Sequence, residues 1–276
     1  MVNPHDHQVY AVKELTNLTL EDGSTDEAAM FELLSEVRKM GVVESQFIVQ
    51  YRTSAVFGGR FYVMMEPIAS GAHSLSSLCA MTRTLIVRHR SRCCVIAQQG
   101  VDYRDVIVAR QATGAHFKDE QVMAWGSMIA LGLAHLHDEC KLVHQDLHNG
   151  NVMITGLSKD EEKGVLDVND VLLATTSVKI LDLGLASFKS DHSRTASERT
   201  MRMSTMRTMR TEATRRGSFV QIPAEEVGGF KAIRAPEMPP AAGQLSSGMV
   251  RFNAKADVWA LGILLTEAIL LSPIEE

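Results

Sequence analysis

The most constraining feature of this 276-residue chain is a polar segment, HQDLHNGN, at residues 144–151. Short apolar runs precede it at 141–143 and follow it at 152–154. Apolar runs around a polar segment that contains glycine are typical of buried strands flanking an exposed loop. A loop fixed at both ends can hold Asp146 and Asn151 in one cavity, where an aspartate can accept a proton and an asparagine oxygen can bind a hard cation. The segment alone is also compatible with an ordinary polar loop.

The bulk composition is that of a water-soluble globular protein. Hydrophobic residues make up 45% and charged residues 22% of the chain. The net charge of −5 gives no overall attraction to nucleic acid or to anionic lipid, so we expect neither partner. The longest apolar run, 258–271, is interrupted by Thr266 and Glu267 and predicts a buried helix rather than a membrane span. Four cysteines without CxxC spacing, and an N-terminus without signal-peptide features, favour reduced thiols and a cytoplasmic location.

The N-terminal quarter is predicted to form a small, sheet-rich lobe at 1–66. Its alternating and apolar runs predict strands over 8–15, 47–51 and 60–66, and a helix over 27–40 that Gly41 ends. Lys13 lies in the first strand and Glu36 in the helix. A polar stretch at 67–74 with Gly71 is predicted to be a hinge.

The rest of the chain, 75–276, is predicted to be mainly helical. A long helix is expected over 118–137 and an apolar helix over 257–271, with a strand over 177–181 between them. Two stretches fit no clear pattern, and we expect insertions near 79–115 and 156–176.

Five motifs occur in a fixed order along the chain. They are YAVK at 10–13, HQDLHNGN at 144–151, DLG at 182–184, APE at 235–237 and DVWALG at 257–262. Together they resemble the eukaryotic-type protein kinase domain, whose motifs include a strand lysine, HRDLxxxN, DFG, APE and DxWxLG. The resemblance implies an α+β, bilobal fold with a small β-rich N-lobe and a mainly helical C-lobe. It also implies an ATP- and Mg²⁺-dependent phosphotransferase that acts on proteins.

The resemblance assigns three residues to catalysis. Lys13 would hold the α- and β-phosphates of ATP, and Glu36 would pair with Lys13 so that the helix position gates activity. Asp146 would orient and deprotonate the substrate hydroxyl.

Cofactor contacts follow from the same resemblance. Asn151 and Asp182 would bind Mg²⁺, because carboxylate and amide oxygens suit this cation. Met65 occupies the gatekeeper position, and the backbone of Glu66 to Ile68 would contact adenine.

The chain departs from the family pattern at several positions. No GxGxxG precedes Lys13, and the chain stops just after the helix that begins near Asp257, so we expect a kinase domain truncated at both ends and poorly active by itself. Gln145 replaces the arginine of HRD, and His148 replaces the lysine of serine/threonine kinases. Phe230 stands where those kinases have threonine. The sequence therefore leaves open whether the target hydroxyl belongs to Ser/Thr or to Tyr, although Ser/Thr is the commoner case in the family.

The expected activation segment, 182–237, is unusually long and locally basic. Residues 189–218 hold eight Lys or Arg against three acids, and the near-repeat at 200–211 predicts disorder. Arg215-Arg216-Gly217-Ser218 is similar to a basophilic phosphorylation site, which makes an upstream basophilic kinase acting within 197–218 a candidate partner. The alternative interpretation is that these residues form a solvated low-complexity insert without a regulatory role.

Two other functions compete with an active protein kinase. The absent Gly-rich loop, Gln145 and His148 favour a pseudokinase that binds or scaffolds without turnover. The DLHxGN pattern is also similar to the loop of aminoglycoside- and choline-type phosphotransferases, but APE and DVW favour a protein substrate. Turnover on peptides and on small alcohols separates these three functions.

Overall fold

A computed structural model gives the fold of the chain. It describes residues 10–17, 34, 36–57, 60–67, 100–157, 176–189, 219–223, 228–238 and 249–274. Predictions for most of 67–99, for 158–175 and for 190–218 lie outside these residues, as does Ile68.

The described residues of the N-terminal lobe include a three-stranded antiparallel sheet. β1 (Ala11–Asn17), β2 (Tyr51–Phe57) and β3 (Arg60–Met65) lie in the order β1-β3-β2. Val12 is buried, and because side chains alternate along a strand, Lys13 points to the other face, opposite Val63 in register. Residues 36–41 are helical, as expected for the end of the 27–40 helix, and Glu36 lies in this segment.

The strand predicted over 47–51 is largely wrong. Only Tyr51 belongs to β2, while Ile48 makes an isolated parallel bridge to Ile180, at the end of the strand Ser177–Ile180. Two backbone hydrogen bonds fix this bridge, from Val49 N to Ile180 O (2.9 Å) and from Ile180 N to Phe47 O (2.8 Å). The apolar run therefore links the N-terminal lobe to the rest of the molecule instead of extending the sheet.

Three α-helices lie in the described part of residues 100–274. α1 (Tyr103–Ala112) and α2 (Asp119–Ala134) precede the polar loop, and a π-helical turn (His135–Glu139) follows α2. α3 (Lys255–Leu270) matches the predicted apolar helix and packs against α2. A 3-10 turn at Lys231–Ile233 lies near α3.

Short strands hold the loops between these helices. β4 (Val101–Asp102), β6 (Val152–Thr155) and β7 (Ser177–Ile180) form one antiparallel sheet with β6 in the middle. β5 (Leu142–Val143) pairs with β8 (Ser187–Phe188), and β9 (Val220–Pro223) pairs with β10 (Met249–Phe252). The polar loop at 144–151 therefore lies between β5 and β6, as the sequence predicts.

The apolar face predicted for α2 forms the centre of the main core. Trp125, Ile129 and Leu136 are fully buried, and Tyr103 and Phe117 meet the Trp125 ring edge-on with centroid distances of 6.0 and 5.2 Å. Edge-to-face pairs of this kind add about 0.5–1.5 kcal/mol beyond the burial of their area.

The expected insertion at 79–115 contains regular structure in its described part. Residues 101–112 form β4 and α1, and Tyr103, Val106 and Ile107 of α1 belong to the main core. The sequence pattern missed this helix because its hydrophobic stripe is short and interrupted by Arg104 and Asp105. Among the helices in the described part of the chain, none is both long and apolar enough to cross a bilayer.

Candidate active site

Asp257, in the first turn of α3, anchors the polar loop. One carboxylate oxygen, Oδ2, accepts hydrogen bonds from His144 N (2.8 Å) and from His137 Nε2 (2.7 Å), and Oδ1 accepts one from Gln145 N (2.9 Å). The carboxylate is 1% exposed, so these bonds act without competition from water. They hold the loop where Gln145 adopts a left-handed backbone with φ 70°.

His144 joins the loop to the segment that carries Asp182. Its ring is fully buried, Nδ1 lies 3.3 Å from the amide of Asp146, and Nε2 lies 2.9 Å from the carbonyl of Leu181. Nδ1 can accept from the amide only if it carries no proton, so Nε2 is the donor to Leu181 O. Both nitrogens are used for support, and the ring has no free nitrogen with which to act as a base.

Lys13 lies between two carboxylates. Its Nζ is 3.2 Å from Glu36 Oε1 and 3.1 Å from Asp182 Oδ1. The sheet, the helical segment 36–41 and the loop after β7 therefore converge on one ammonium group. Lys39, one turn further along the same helical segment, also donates to Gly184 O at 3.3 Å.

The electrostatics of this cluster keep Lys13 and Asp182 charged. Burial alone would lower the pKa of Lys13, but the charges of Asp182 and Glu36 outweigh it and raise that pKa above its ordinary value. Burial alone would raise the pKa of Asp182, but Lys13 and the amide of Gly184 outweigh it and hold that pKa below its ordinary value. At neutral pH the cluster offers one fixed cation and a fixed carboxylate.

The carboxylate of Asp146 is held by three neighbours. Oδ1 accepts a hydrogen bond from Phe230 N at 3.0 Å. Oδ2 lies 3.3 Å from Asn151 Nδ2 and 3.8 Å from His148 Nε2. Asn151 Nδ2 also donates to the Asp146 carbonyl at 2.8 Å, which ties the two ends of the loop together.

Asn151 and Asp182 are brought together through their backbones. Leu181 N donates to Asn151 O at 2.9 Å, so the residue before Asp182 is paired with Asn151. Asn151 uses its amide nitrogen on Asp146, which leaves the side-chain oxygen Oδ1 as the atom suited to a cation. Because Asp182 is held ionised, the pair supplies the hard oxygen ligands that Mg²⁺ prefers. The described residues contain no cluster of three or more His, Cys, Asp or Glu suited to a metal.

The predicted adenine contacts are only partly described. Met65 is half-buried beside the main core, and Glu66 N already donates to Gln50 O at 2.9 Å. Of the backbone groups of Glu66, only its carbonyl could therefore meet adenine. Its carboxylate faces away, toward Lys179 Nζ at 2.5 Å.

Sequence reasoning missed the residues that hold Asp146 and its loop in position. Phe230 was noted only as a departure from the family pattern, and Asp257 only as part of a motif. An aspartate opening an apolar helix is the one sequence signal that could have identified the anchor, since a buried carboxylate requires partners. The contact of Phe230 with Asp146 spans 84 residues and leaves no local signature.

Comparisons with known proteins agree with this geometry. The model of the protein kinase domain family matches residues 1–275. A serine/threonine-protein kinase of Caenorhabditis elegans is 25% identical over 152 residues, which cover 54% of this chain and 12% of the relative. The chain thus aligns with about an eighth of the length of the curated relative it matches. Because the family match spans nearly every residue of the sequence, this chain belongs to the protein kinase domain family.

Proposed function

We propose that the chain is an ATP- and Mg²⁺-dependent protein kinase that transfers the γ-phosphoryl group to a protein hydroxyl, with Ser/Thr favoured over Tyr. The observation that carries the proposal is the position of Lys13 Nζ, within 3.2 Å of both Glu36 and Asp182. This contact joins the N-terminal sheet to the loop that would hold the metal. The preference for Ser/Thr rests on the similarity to the Caenorhabditis elegans protein, which is a serine/threonine-protein kinase.

The residues have separate tasks in the proposed reaction. Lys13 binds phosphate oxygens through its charge, and Glu36 orients it. Asp182 and Asn151 would hold Mg²⁺, which would neutralise charge on the phosphates. The backbone carbonyl of Glu66 would contact adenine, beside Met65, with Ile68 as a further predicted contact.

Asp146 handles the proton of the acceptor hydroxyl. The hydroxyl oxygen forms a bond to the γ-phosphorus while the bond to the β,γ-bridging oxygen breaks, and ADP leaves. The proton passes to Oδ2 of Asp146, whose other oxygen is held by the 3.0 Å hydrogen bond from Phe230 N. Positioning and charge neutralisation account for most of the rate enhancement in this chemistry.

The experiment is a transfer assay with the full chain, Mg²⁺ and γ-labelled ATP. Pools of peptides that carry only Ser, only Thr or only Tyr, together with small aminoalcohols, serve as acceptors. The proposal expects label on the Ser and Thr pools and none on the alcohols. Label on the alcohols alone would favour a small-molecule phosphotransferase.

A nucleotide-binding module without turnover is the second candidate. His148 in place of a lysine and Gln145 in place of an arginine favour it, because each replaces a permanently charged side chain of the family pattern. This candidate requires Mg-ATP binding that depends on Lys13 together with no label on any acceptor. A cytoplasmic location and phosphorylation within 197–218 by a basophilic kinase remain predictions.

A further inference from the structure

A short part of the expected activation segment, Gly228 to Phe230, contacts the polar loop at 144–151. Phe230 N donates to Asp146 Oδ1 at 3.0 Å, and its ring lies beside the His148 imidazole with a centroid distance of 5.6 Å and an interplanar angle of 58°. Phe230 therefore contacts Asp146 directly through its amide, and it contacts His148, a neighbour of Asp146, through its ring.

Gly229 makes this approach sterically feasible. Its φ is 88°, a conformation that favours glycine, and a Cβ there would lie 2.8 Å from Gln145 O and 3.2 Å from Asp146 Oδ1. The chain thus passes directly over the backbone that carries Asp146. Any side chain at 229 would push the Phe230 amide away from the carboxylate.

His148 is oriented from two sides. Gly150 N donates to His148 Nδ1 at 3.1 Å, so this nitrogen is unprotonated and the ring proton lies on Nε2. Nε2 in turn faces Asp146 Oδ2 at 3.8 Å. The Phe230 ring packs against the imidazole and restricts its rotation away from this position.

From these contacts we infer that Phe230 is a positioning residue for Asp146, acting through its amide on Oδ1 and through its ring on His148, which faces Oδ2. This inference rests on the proposed phosphoryl transfer for its kinetic readout. It assigns a role to Phe230, which stands where serine/threonine kinases have threonine.

The two actions of Phe230 can be separated by substitution. Phe230→Tyr keeps ring and amide, and Phe230→Ala keeps only the amide. Phe230→Pro removes both, and the native φ of −69° fits proline. Relative to the native chain, we expect kcat within about twofold for Phe230→Tyr and a fall of roughly threefold to tenfold for Phe230→Ala. Phe230→Pro should lose on the order of a further tenfold, with KM for ATP unchanged throughout.

A double-mutant cycle tests the route through His148. Because the ring acts through the imidazole, Phe230→Ala should cost little in a His148→Ala background, whereas the added effect of Phe230→Pro should persist there. Additive losses in His148→Ala/Phe230→Ala, or equal kcat for Phe230→Ala and Phe230→Pro, would overturn the inference. Circular dichroism and Mg-ATP affinity confirm that each variant is folded.

An NMR readout keeps the inference testable if the native chain transfers no phosphate. The amide proton of Phe230 should resonate downfield and move upfield in Asp146→Asn, because a hydrogen bond to an ionised carboxylate is stronger than one to an amide. The His148 ¹⁵N shifts should show the Nε2-H form in the native chain and a mixture of tautomers in Phe230→Ala. An unchanged amide proton in Asp146→Asn contradicts the inference, whereas absent transfer with the predicted shifts contradicts only the proposed kinase activity.

Discussion

Oδ2 of Asp257 lies 2.8 Å from the amide of His144, so the third residue of the apolar helix α3 holds the first residue of the polar loop. The same carboxylate accepts from the next amide and from a buried imidazole. A helix packed in the core thereby fixes the position of the loop backbone at His144 and Gln145.

Replacing Asp257 with alanine should destabilise the fold by about 3 kcal/mol, because two backbone amides and His137 Nε2 would be left buried without their acceptor. Urea unfolding measures this as a lower midpoint with an unchanged slope. The matched control is Asp105→Asn on the exposed side of α1, which should stay within about 0.5 kcal/mol of the native chain. Equal stability of the two variants would contradict the anchoring role.

Adding a methyl group at Gly229 should cost about 1–3 kcal/mol, since φ is 88° and the Cβ would lie 2.8 Å from Gln145 O. We also expect kcat to fall, because the Phe230 amide moves with residue 229. Gly262 in α3 is the control: an added Cβ meets nothing within 4 Å, and alanine there should stabilise by roughly 0.5–1 kcal/mol through helix propensity. Thermal melts of the two alanine variants should therefore shift in opposite directions.

Glu267 should make the fold less stable as pH rises. Burial raises the pKa of this carboxyl above its ordinary value of 4.5, although Ile274 N and Asn149 Nδ2 donate to it and oppose the shift. A raised pKa means that the folded state binds the proton more tightly than the unfolded state. The stability that this adds is therefore fully present below pH 4.5 and is lost as pH rises through the folded pKa.

Glu267→Gln keeps an acceptor oxygen and removes the titration. Unfolding free energies of native chain and variant, measured from pH 4 to pH 8, should diverge in favour of the variant as pH increases. A difference that is constant over this range would show that Glu267 is not perturbed.

Lys13→Met should raise the Kd for Mg-ATP and lower transfer by on the order of a hundredfold, because the phosphates lose their fixed cation. Titration calorimetry and the transfer assay measure the two effects. Lys255→Met, at the exposed start of α3, is the matched control and should leave both unchanged. Loss of transfer in both variants would point to misfolding instead.

The sequence predicted the parts of the fold that local patterns specify. The core face of α2 was readable because Val122, Trp125 and Ile129 recur at helical spacing, and all three are buried. The loop between β5 and β6 was readable because two short apolar runs frame it. The matching motifs then identified the family over nearly all of the chain.

Long-range relationships could not be read in the same way. The run at 47–51 has the composition of a sheet strand, but tertiary pairing of Ile48 with Ile180 decides its structure. α1 was missed because its hydrophobic stripe is short, and the contact of its buried Tyr103 with Leu264 O spans 161 residues. The amide of Phe230 reaches Asp146 through backbone geometry at Gly229, which no side-chain pattern encodes.

The most direct test of the central claim is phosphate transfer by the native chain and by Asp146→Asn, compared at saturating Mg-ATP on the same Ser/Thr peptide pool. The account predicts measurable transfer by the native chain and a loss of roughly a hundredfold or more in kcat for Asp146→Asn, since it removes the base but keeps the shape. Asp105→Asn should retain native kcat, and nucleotide affinity should be equal in all three proteins. Transfer that is undiminished in Asp146→Asn would contradict the account.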